Sequence, residues 1–183
     1  MRVITGSLGG RQFNSPKSDK THPMSDKIRG ALFNILGDIE GLTVLDVFAG
    51  SGALSFEAIS RGAAQSTAID NDRAAQRVIA ENIQALGLGG RVKLVSTSAS
   101  TWLQSMSVEK MEAVQKFDVV LCDPPYDNLQ PKLIDDLAAT VNQDGILALS
   151  WPGDQEAPVL PKLELIDRRQ YGDAALVFYR QTG

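Results

Sequence analysis

The chain has very little of what builds disulfide frameworks and soft-metal centres. Its 183 residues include one cysteine, Cys122, and one histidine, His22. One thiol excludes an internal disulfide and fits a reducing compartment, so a cytoplasmic location is expected. One cysteine and one histidine leave too few soft donors for a zinc-type site, and no metal is expected. No apolar run approaches the ~18–20 residues that cross a membrane. The opening MRVITGSLGGRQF lacks the apolar stretch of a secretory signal. There is no internal repeat and no low-complexity tract. Apolar residues at 43% and charged residues at 22% argue against disorder. The length suits one domain, 1–183, with a full core. A monomer is the expected state.

Positive charge is also scarce, with a formal net charge of -4. Its distribution is uneven. Residues 1–29 carry Arg2, Arg11, Lys17, Lys20, Lys27 and Arg29 against Asp19 and Asp26, a net of +4, so the remainder carries -8. A basic arm on an acidic body points to a polyanion contacted mainly through the N-terminus. The competing reading is a solvated, charged terminus with no partner.

What is present is a regular alternation. Val3–Thr5 and Arg11–Phe13 are short β-like runs around Gly6, Gly9 and Gly10, which predicts an N-terminal hairpin. Residues 14–24, with Pro16 and Pro23, read as a loop. Ser25 can cap a helix to about Leu36, because Ile28, Leu32, Ile35 and Leu36 share one face. Strands are then expected at Thr43–Phe48, Ser66–Ile69, Val92–Val95, Phe117–Cys122 and Ile146–Ser150. Helices are expected at Gly52–Arg61, Arg73–Leu86, 99–115 and Leu129–Val141. Such alternation predicts an α/β fold of right-handed crossover units, with a mostly parallel sheet covered on both faces. The end breaks the pattern. Leu163–Gln170 and Ala174–Tyr179 are joined by Tyr171-Gly172-Asp173 with no helix between, so they should pair antiparallel at the sheet edge.

Three segments carry chemistry. The first is Val44-Leu45-Asp46-Val47-Phe48-Ala49-Gly50-Ser51-Gly52. Gly50 and Gly52 let a ligand approach the backbone at the carboxyl end of a strand, where open α/β sheets bind ligands. A dinucleotide fold uses the same place, but position 55 is Ser where its fingerprint has Gly or Ala. Asp46 would disfavour a pyrophosphate and favour a ligand with an ammonium or sulfonium. S-adenosylmethionine has both and no phosphate. The alternative is a carboxylate that only braces the glycine turn. The second segment is Ile69-Asp70-Asn71-Asp72. Asp70 lies 24 residues after Asp46, a spacing at which an acid binds ribose hydroxyls. Asp70 or Asn71 could instead cap the next helix, though Asp72 is better placed to do so.

Asp123-Pro124-Pro125-Tyr126 is the third and most specific segment. It follows a strand and so lies on the same rim. Paired prolines stiffen it and remove backbone donors. The Asp123 carboxylate and the Pro124 carbonyl can hold both hydrogens of an NH2 group, and Tyr126 offers a face for a flipped base. Two acceptors on the amine turn its lone pair toward a methyl donor, and in-line transfer then needs mainly positioning. The bland alternative is a proline-rich turn with a capping aspartate. Lone His22 reads as a polar loop residue rather than a base. Cys122 reads as a small core residue. Trp102 and Trp151 read as packing, Trp151 being the better candidate to stack a base.

VLDVFAGSG followed by CDPPY resembles the amino-methyltransferases of nucleic acids. GSLGGRQFNSP, THPMSDKIRGALFNIL and GDAALVFYR narrow the resemblance to the bacterial RsmD-like family, over essentially the whole chain. The resemblance implies a Rossmann-like fold with a seven-stranded sheet and a reversed last strand, residues 25–183, behind an N-terminal hairpin and basic arm, residues 1–24. It implies S-adenosylmethionine as cofactor, S-adenosylhomocysteine as product, and methylation of a guanine N2 amine in small-subunit ribosomal RNA. Cofactor contacts are implied for Asp46, Phe48, Ala49, Gly50, Ser51 and Gly52, and for Asp70, Asn71, Ser98 and Ala99. Asp123, Pro124, Pro125 and Tyr126 match the catalytic segment. Arg2, Arg11, Lys17, Lys20, His22, Lys27 and Arg29 would grip RNA, within an assembling or complete small subunit and away from membranes. Three positions depart from the family pattern. His22 stands for an Arg, Met24 for a Thr, and Ser98 for an acid that would accept from the adenine amine.

Other functions remain in view. A DNA adenine-N6 or cytosine-N4 methyltransferase shares the third segment but often needs added mass for target recognition. A nicotinamide-dependent oxidoreductase is disfavoured by Asp46 and the missing third glycine. A non-catalytic RNA-binding module would bind without transfer.

Overall fold

The computed structural model describes residues 1–16, 24–109 and 115–182. Helix α1 spans Asp26–Leu36, and Ser25 caps it by accepting from the Ile28 amide. Strand β1 (Thr43–Val47) leads to α2 (Ala53–Ser60), β2 (Gln65–Asp70), α3 (Arg73–Leu86) and β3 (Val92–Ser96). Then come α4 (Ala99–Glu109), β4 (Phe117–Cys122), α5 (Pro131–Leu137), β5 (Val141–Pro152), β6 (Glu164–Tyr171) and β7 (Ala174–Arg180). One seven-stranded sheet runs in the order β3-β2-β1-β4-β5-β7-β6. The pairs among β3, β2, β1, β4 and β5 are parallel, and β7 is antiparallel to both β5 and β6. The expected α/β sheet with a reversed last strand is therefore present. Tyr171 pairs with Ala174 across Gly172-Asp173, and Gly172 takes a left-handed φ of 64°. A two-residue turn of this kind closes a hairpin and leaves no room for a helix.

The order reverses between β1 and β4. The chain builds outward from β1 to β3, then crosses back to lay β4 on the other side of β1. That reversal opens a crevice at the carboxyl ends of the two strands. Both are buried along nearly their whole length, as strands covered on two faces must be. One apolar cluster packs α1, α2 and α3 against Val44, Leu121, Ala148 and Phe178. The other packs α4 and α5 against Leu45, Val47, Val120, Leu147 and Val177. Among the described residues, no helix is long and apolar enough to cross a membrane.

Three elements differ from the sequence reading. The expected N-terminal hairpin is short: Arg2 bridges Gln12 antiparallel, backbone hydrogen bonds join Val3 to Arg11 and Gly10 and Phe13 to Met1, and neither arm forms a regular strand. The Ile4 and Thr5 amides donate instead to the Glu57 carboxylate on α2, at 2.7 and 3.2 Å. Gly6 sits so close to α2 that a Cβ would lie 1.9 Å from the Ser60 carbonyl oxygen, so only glycine fits. The expected helix Leu129–Val141 is cut to α5 and a tight turn, Ala138–Thr140, because Val141 already pairs with Phe117. Strand β5 is correspondingly longer than Ile146–Ser150. Its early part bulges around Asp144, whose φ is 62°, before regular pairing with β4 resumes at Ile146. The last residues of the helix expected at 99–115 fall partly outside the described residues.

Candidate active site

Asp46 lies inside β1, 1% exposed. Its Oδ2 accepts from the Ser55 amide (3.0 Å) and the Ser55 hydroxyl (2.7 Å), and the Ser66 hydroxyl in turn donates to Ser55. Its Oδ1 is buried with no hydrogen-bond partner. Burial pushes the Asp46 carboxyl up to about 7; the Ser55 hydrogen bonds oppose this, and the charges of Asp123 and Asp70 add to it. A buried carboxylate with one open oxygen beside two other acids is best relieved by a cation, and it would repel a pyrophosphate.

Beyond β1 the chain turns sharply. Phe48 adopts φ 64°, a strained conformation for a bulky residue. Gly52 adopts φ 81°, and a Cβ there would press 2.6 Å from the Phe56 ring. Asp70, at the end of β2, holds this loop by accepting from the Gly50 amide at 2.7 Å, while its other oxygen accepts from the Asp72 amide. Burial raises the Asp70 pKa against those two amides. Asp72 caps α3 through the Ala74 and Ala75 amides, as its position suggested. Asp70 is therefore not idle: it braces the glycine loop, and only its remaining lone pairs face outward.

Phe48 borders two small cavities. The first, about 60 Å³, is lined by Ser15, Pro16 and Met24 of the N-terminal segment, by the Phe48–Ser51 loop, and by Asp123. The second, about 50 Å³, is lined by Asp70, Asn71, Ser98, Ala99 and Gln130. The glycine loop, the acid ending β2 and Asp123 thus meet around Phe48, which borders both cavities. Asp46, Gly52, Pro124, Pro125 and Tyr126 line neither cavity: Asp46 lies beneath the loop, and Gly52 shapes the turn. Ser98 lines the second cavity, but its hydroxyl caps α4: it accepts from the Thr101 amide and contacts the Ser100 and Thr101 hydroxyls. A larger groove, about 660 Å³, adjoins the second cavity between α4 and α5 and holds none of the expected site residues.

Asp123 follows β4, and its amide reaches the Val47 carbonyl of β1 at 3.5 Å. Burial pushes its carboxyl up to about 6, opposed by a hydrogen bond from Ser150. Pro124 is buried and Pro125 half-buried. Tyr126 is 41% exposed, and its hydroxyl is fixed by Ser150 (2.9 Å) and the Trp151 carbonyl (3.1 Å). The ring is therefore both presented to solvent and held in place. Cys122 is buried, and desolvation with the charges of Asp123 and Asp46 drives its thiol pKa far up, which keeps it inert. Trp151 is buried and donates to the Glu156 carbonyl, so it packs and does not stack a base. Among the described residues, no three His, Cys, Asp or Glu side chains form a group that could hold a metal.

The basic arm is reshaped by the structure. Arg29 is wholly buried, donating to the Arg2 and Met24 carbonyls and pairing with Asp26. It cannot contact RNA, and its charge instead serves the junction of α1, the N-terminal segment and Glu57. Arg11 donates to the Ala85 and Leu86 carbonyls at the end of α3, and Arg2 pairs with Asp26. Lys27 is exposed. Lys17, Lys20 and His22 lie outside the described residues.

Three polar residues were not singled out from sequence. Ser55 carries Asp46, and Ser150 lies 2.9 Å from Tyr126 Oη and, one residue past the Cys122–Leu149 pair, beside Asp123. Asn82 is 1% exposed on α3, where it accepts from the Asn14 amide and donates to the Asn14 and Ser51 carbonyls. It ties the N-terminal segment to the glycine loop. An asparagine on the same helix face as Ala75, Ile79 and Leu86 is the signal that could have revealed it.

A family model described as Conserved hypothetical protein 95 matches residues 1–180. Ribosomal RNA small subunit methyltransferase D of Escherichia coli is 35% identical over 127 residues, 69% of this chain and 60% of that protein. The Bacillus subtilis protein named "Putative rRNA methyltransferase YlbH" is 29% identical over the full length of both chains. The solved structure named "Putative methyltransferase yhhF", from Escherichia coli, superposes with a TM-score of 0.85 at 29% identity, covering 100% of this chain and 98% of that one. With a matching family model over residues 1–180 and these relatives, the chain belongs to the RsmD-like family.

Proposed function

We propose that the protein transfers a methyl group from S-adenosylmethionine to the exocyclic N2 amine of a guanine in small-subunit ribosomal RNA, releasing S-adenosylhomocysteine. The observation that carries this reading is the cavity shared by Asp123 and the Gly50–Ser51 turn. An amine acceptor group and a ligand-binding loop open into the same space. The sulfonium of the bound donor supplies an electrophilic methyl group.

The chain's own residues account for the rest. Asp46 supplies negative charge beneath the loop, where its buried, unpartnered Oδ1 favours a cationic ligand above it. Asp70 holds Gly50 and keeps lone pairs for ribose hydroxyls. Ala99, Asn71 and Ser98 line the adenine end, where Ser98 offers a weaker acceptor than an acid would. Asp123 and the Pro124 carbonyl hold the two amine hydrogens, Pro125 keeps that acceptor pair rigid, and Tyr126 stacks on the extruded base. No strong base is needed: the nitrogen becomes acidic as it is methylated, and the proton it then loses passes to the Asp123 carboxylate. Lys27 and the arm at Lys17, Lys20 and His22 meet RNA phosphates. The body carries net negative charge, so ribosomal proteins supply further contacts.

The test offers labelled S-adenosylmethionine with small subunits lacking the modification, naked ribosomal RNA, and duplex DNA. Label in subunits supports the reading. Label in DNA alone would replace the substrate class, and binding without transfer to any acceptor would overturn the enzymatic reading.

A further inference from the structure

The parallel register of β4 and β5 ends at Cys122 and Leu149. The next residues on the two strands are Asp123 and Ser150. Ser150 is 5% exposed, and its partner on the other side is Leu176 of β7. It is a buried hydroxyl wedged between the two functional ends of the Asp-Pro-Pro-Tyr segment.

The proton count decides how this hydroxyl is used. Tyr126 Oη lies 2.9 Å from Ser150 Oγ and donates to the Trp151 carbonyl at 3.1 Å. Ser150 has one proton and two neighbours that can accept it, Tyr126 Oη and the Asp123 carboxylate. A hydrogen bond to a charged acceptor is roughly twice as strong as one to a neutral acceptor. The Ser150 proton therefore goes to Asp123 when that group is ionised. Tyr126 then gives its own proton to the Ser150 oxygen, with the Trp151 carbonyl as the longer, shared acceptor. The result is a directed chain from Tyr126 through Ser150 to Asp123.

We propose that Ser150 is the positioning residue of this site: its one hydroxyl sets both the orientation of the Asp123 carboxylate and the angle of the Tyr126 ring. This rests on the reading that Asp123 holds the target amine. With one Asp123 lone pair occupied by Ser150, the remaining lone pairs are aimed at the amine and the carboxylate cannot rotate away. Tyr126 is anchored at its far end, so its face meets the same base. The proposal links the acceptor and the stacking platform through one atom, so the two move together.

The test measures methyl transfer to small subunits between pH 5 and 9 in the full chain. The groups facing Asp123 are Asp46 from β1, and Cys122 and Tyr126 from its own segment. In the unaltered protein the acid limb should lie near pH 6, where Asp123 titrates. Ser150→Ala removes a bond to the ionised form. The limb should rise by about one pH unit, a tenfold change in proton affinity. Plateau kcat should fall about tenfold, the equivalent of one aligned hydrogen bond, with S-adenosylmethionine affinity unchanged. Ser150→Thr should restore the limb, and Ser150→Cys, a weaker donor of similar size, should place it between the two. Tyr126→Phe should lower kcat without moving the limb. A limb unmoved in both the Ala and Cys variants overturns the proposal, provided Asp123→Ala is inactive. An active Asp123→Ala overturns the underlying reading instead.

Discussion

Replacing Asp46 by Asn should stabilise the ligand-free protein while weakening its cofactor site. The carboxyl is 1% exposed and its pKa is raised from 3.8 to about 7. Below pH 4 it is protonated whether the chain is folded or not, and burial then costs little. Between pH 4 and 7 the unfolded chain ionises while the folded one holds its proton, so stability falls as pH rises. Each pH unit crossed in that window costs about 1.4 kcal/mol, so the loss is about 2 kcal/mol at pH 5 and about 4 kcal/mol at pH 8. Asn keeps an acceptor for Ser55 but sets an NH2 where Oδ1 had no partner. An unsatisfied amide costs about 1–3 kcal/mol, so the net gain at pH 8 is about 1–3 kcal/mol. Urea unfolding of both proteins at pH 5 and 8 checks this. The variant should lose about 2–3 kcal/mol less than the wild type between the two pH values. S-adenosylmethionine affinity, measured by calorimetry, should fall about 10- to 100-fold, because a desolvated charge contact is gone. Equal pH dependence in both proteins, with unchanged affinity, would refute the reasoning. Asp46 would then be an ordinary brace for the glycine turn.

Further outcomes follow from the same geometry. Asp123→Ala should cut single-turnover methyl transfer by about 10²–10³, as loss of a preorganised polar contact does, with S-adenosylmethionine affinity within about threefold. Asn82→Leu should destabilise the chain by about 1–3 kcal/mol, since three buried hydrogen bonds lose their partner; it should also raise KM for both substrates, because the N-terminal wall of the first cavity is no longer tied to Ser51. Arg29→Met should cost about 1–3 kcal/mol in chemical denaturation by leaving the Arg2 and Met24 carbonyls without their donor. If Arg29 served RNA instead, the same change would leave stability intact and lower the salt dependence of RNA binding.

The parts of the molecule written locally were legible from sequence. The glycine loop, the acid 24 residues on and the Asp-Pro-Pro-Tyr segment are each contiguous, and strand ends bring them to one rim. The reversed strand was legible because Gly172-Asp173 leaves space only for a tight turn. What failed depended on distant partners. The Ile4 and Thr5 amides go to Glu57, more than fifty residues away, and this keeps the hairpin to a single bridge. Arg29 looked like part of a basic arm because charge does not report burial. The bulge at Asp144 hid the length of β5, since pairing with Phe117 skips several residues. Ser150 closed an expected strand, but nothing local says that Asp123 and Tyr126 flank it. Asp70 illustrates a milder limit: its spacing suggests a ribose ligand, and the fold also gives it the Gly50 amide to hold.

The central claim is that this crevice holds an exocyclic guanine amine against a methyl donor. Its most direct test is the identity of the methylated nucleoside after single-turnover transfer to small subunits and complete digestion. The account requires N2-methylguanosine from the wild type and its loss in Asp123→Ala. A methyl group on adenine N6, on cytosine N4 or on a ring nitrogen would contradict it, as would undiminished N2-methylguanosine from the variant.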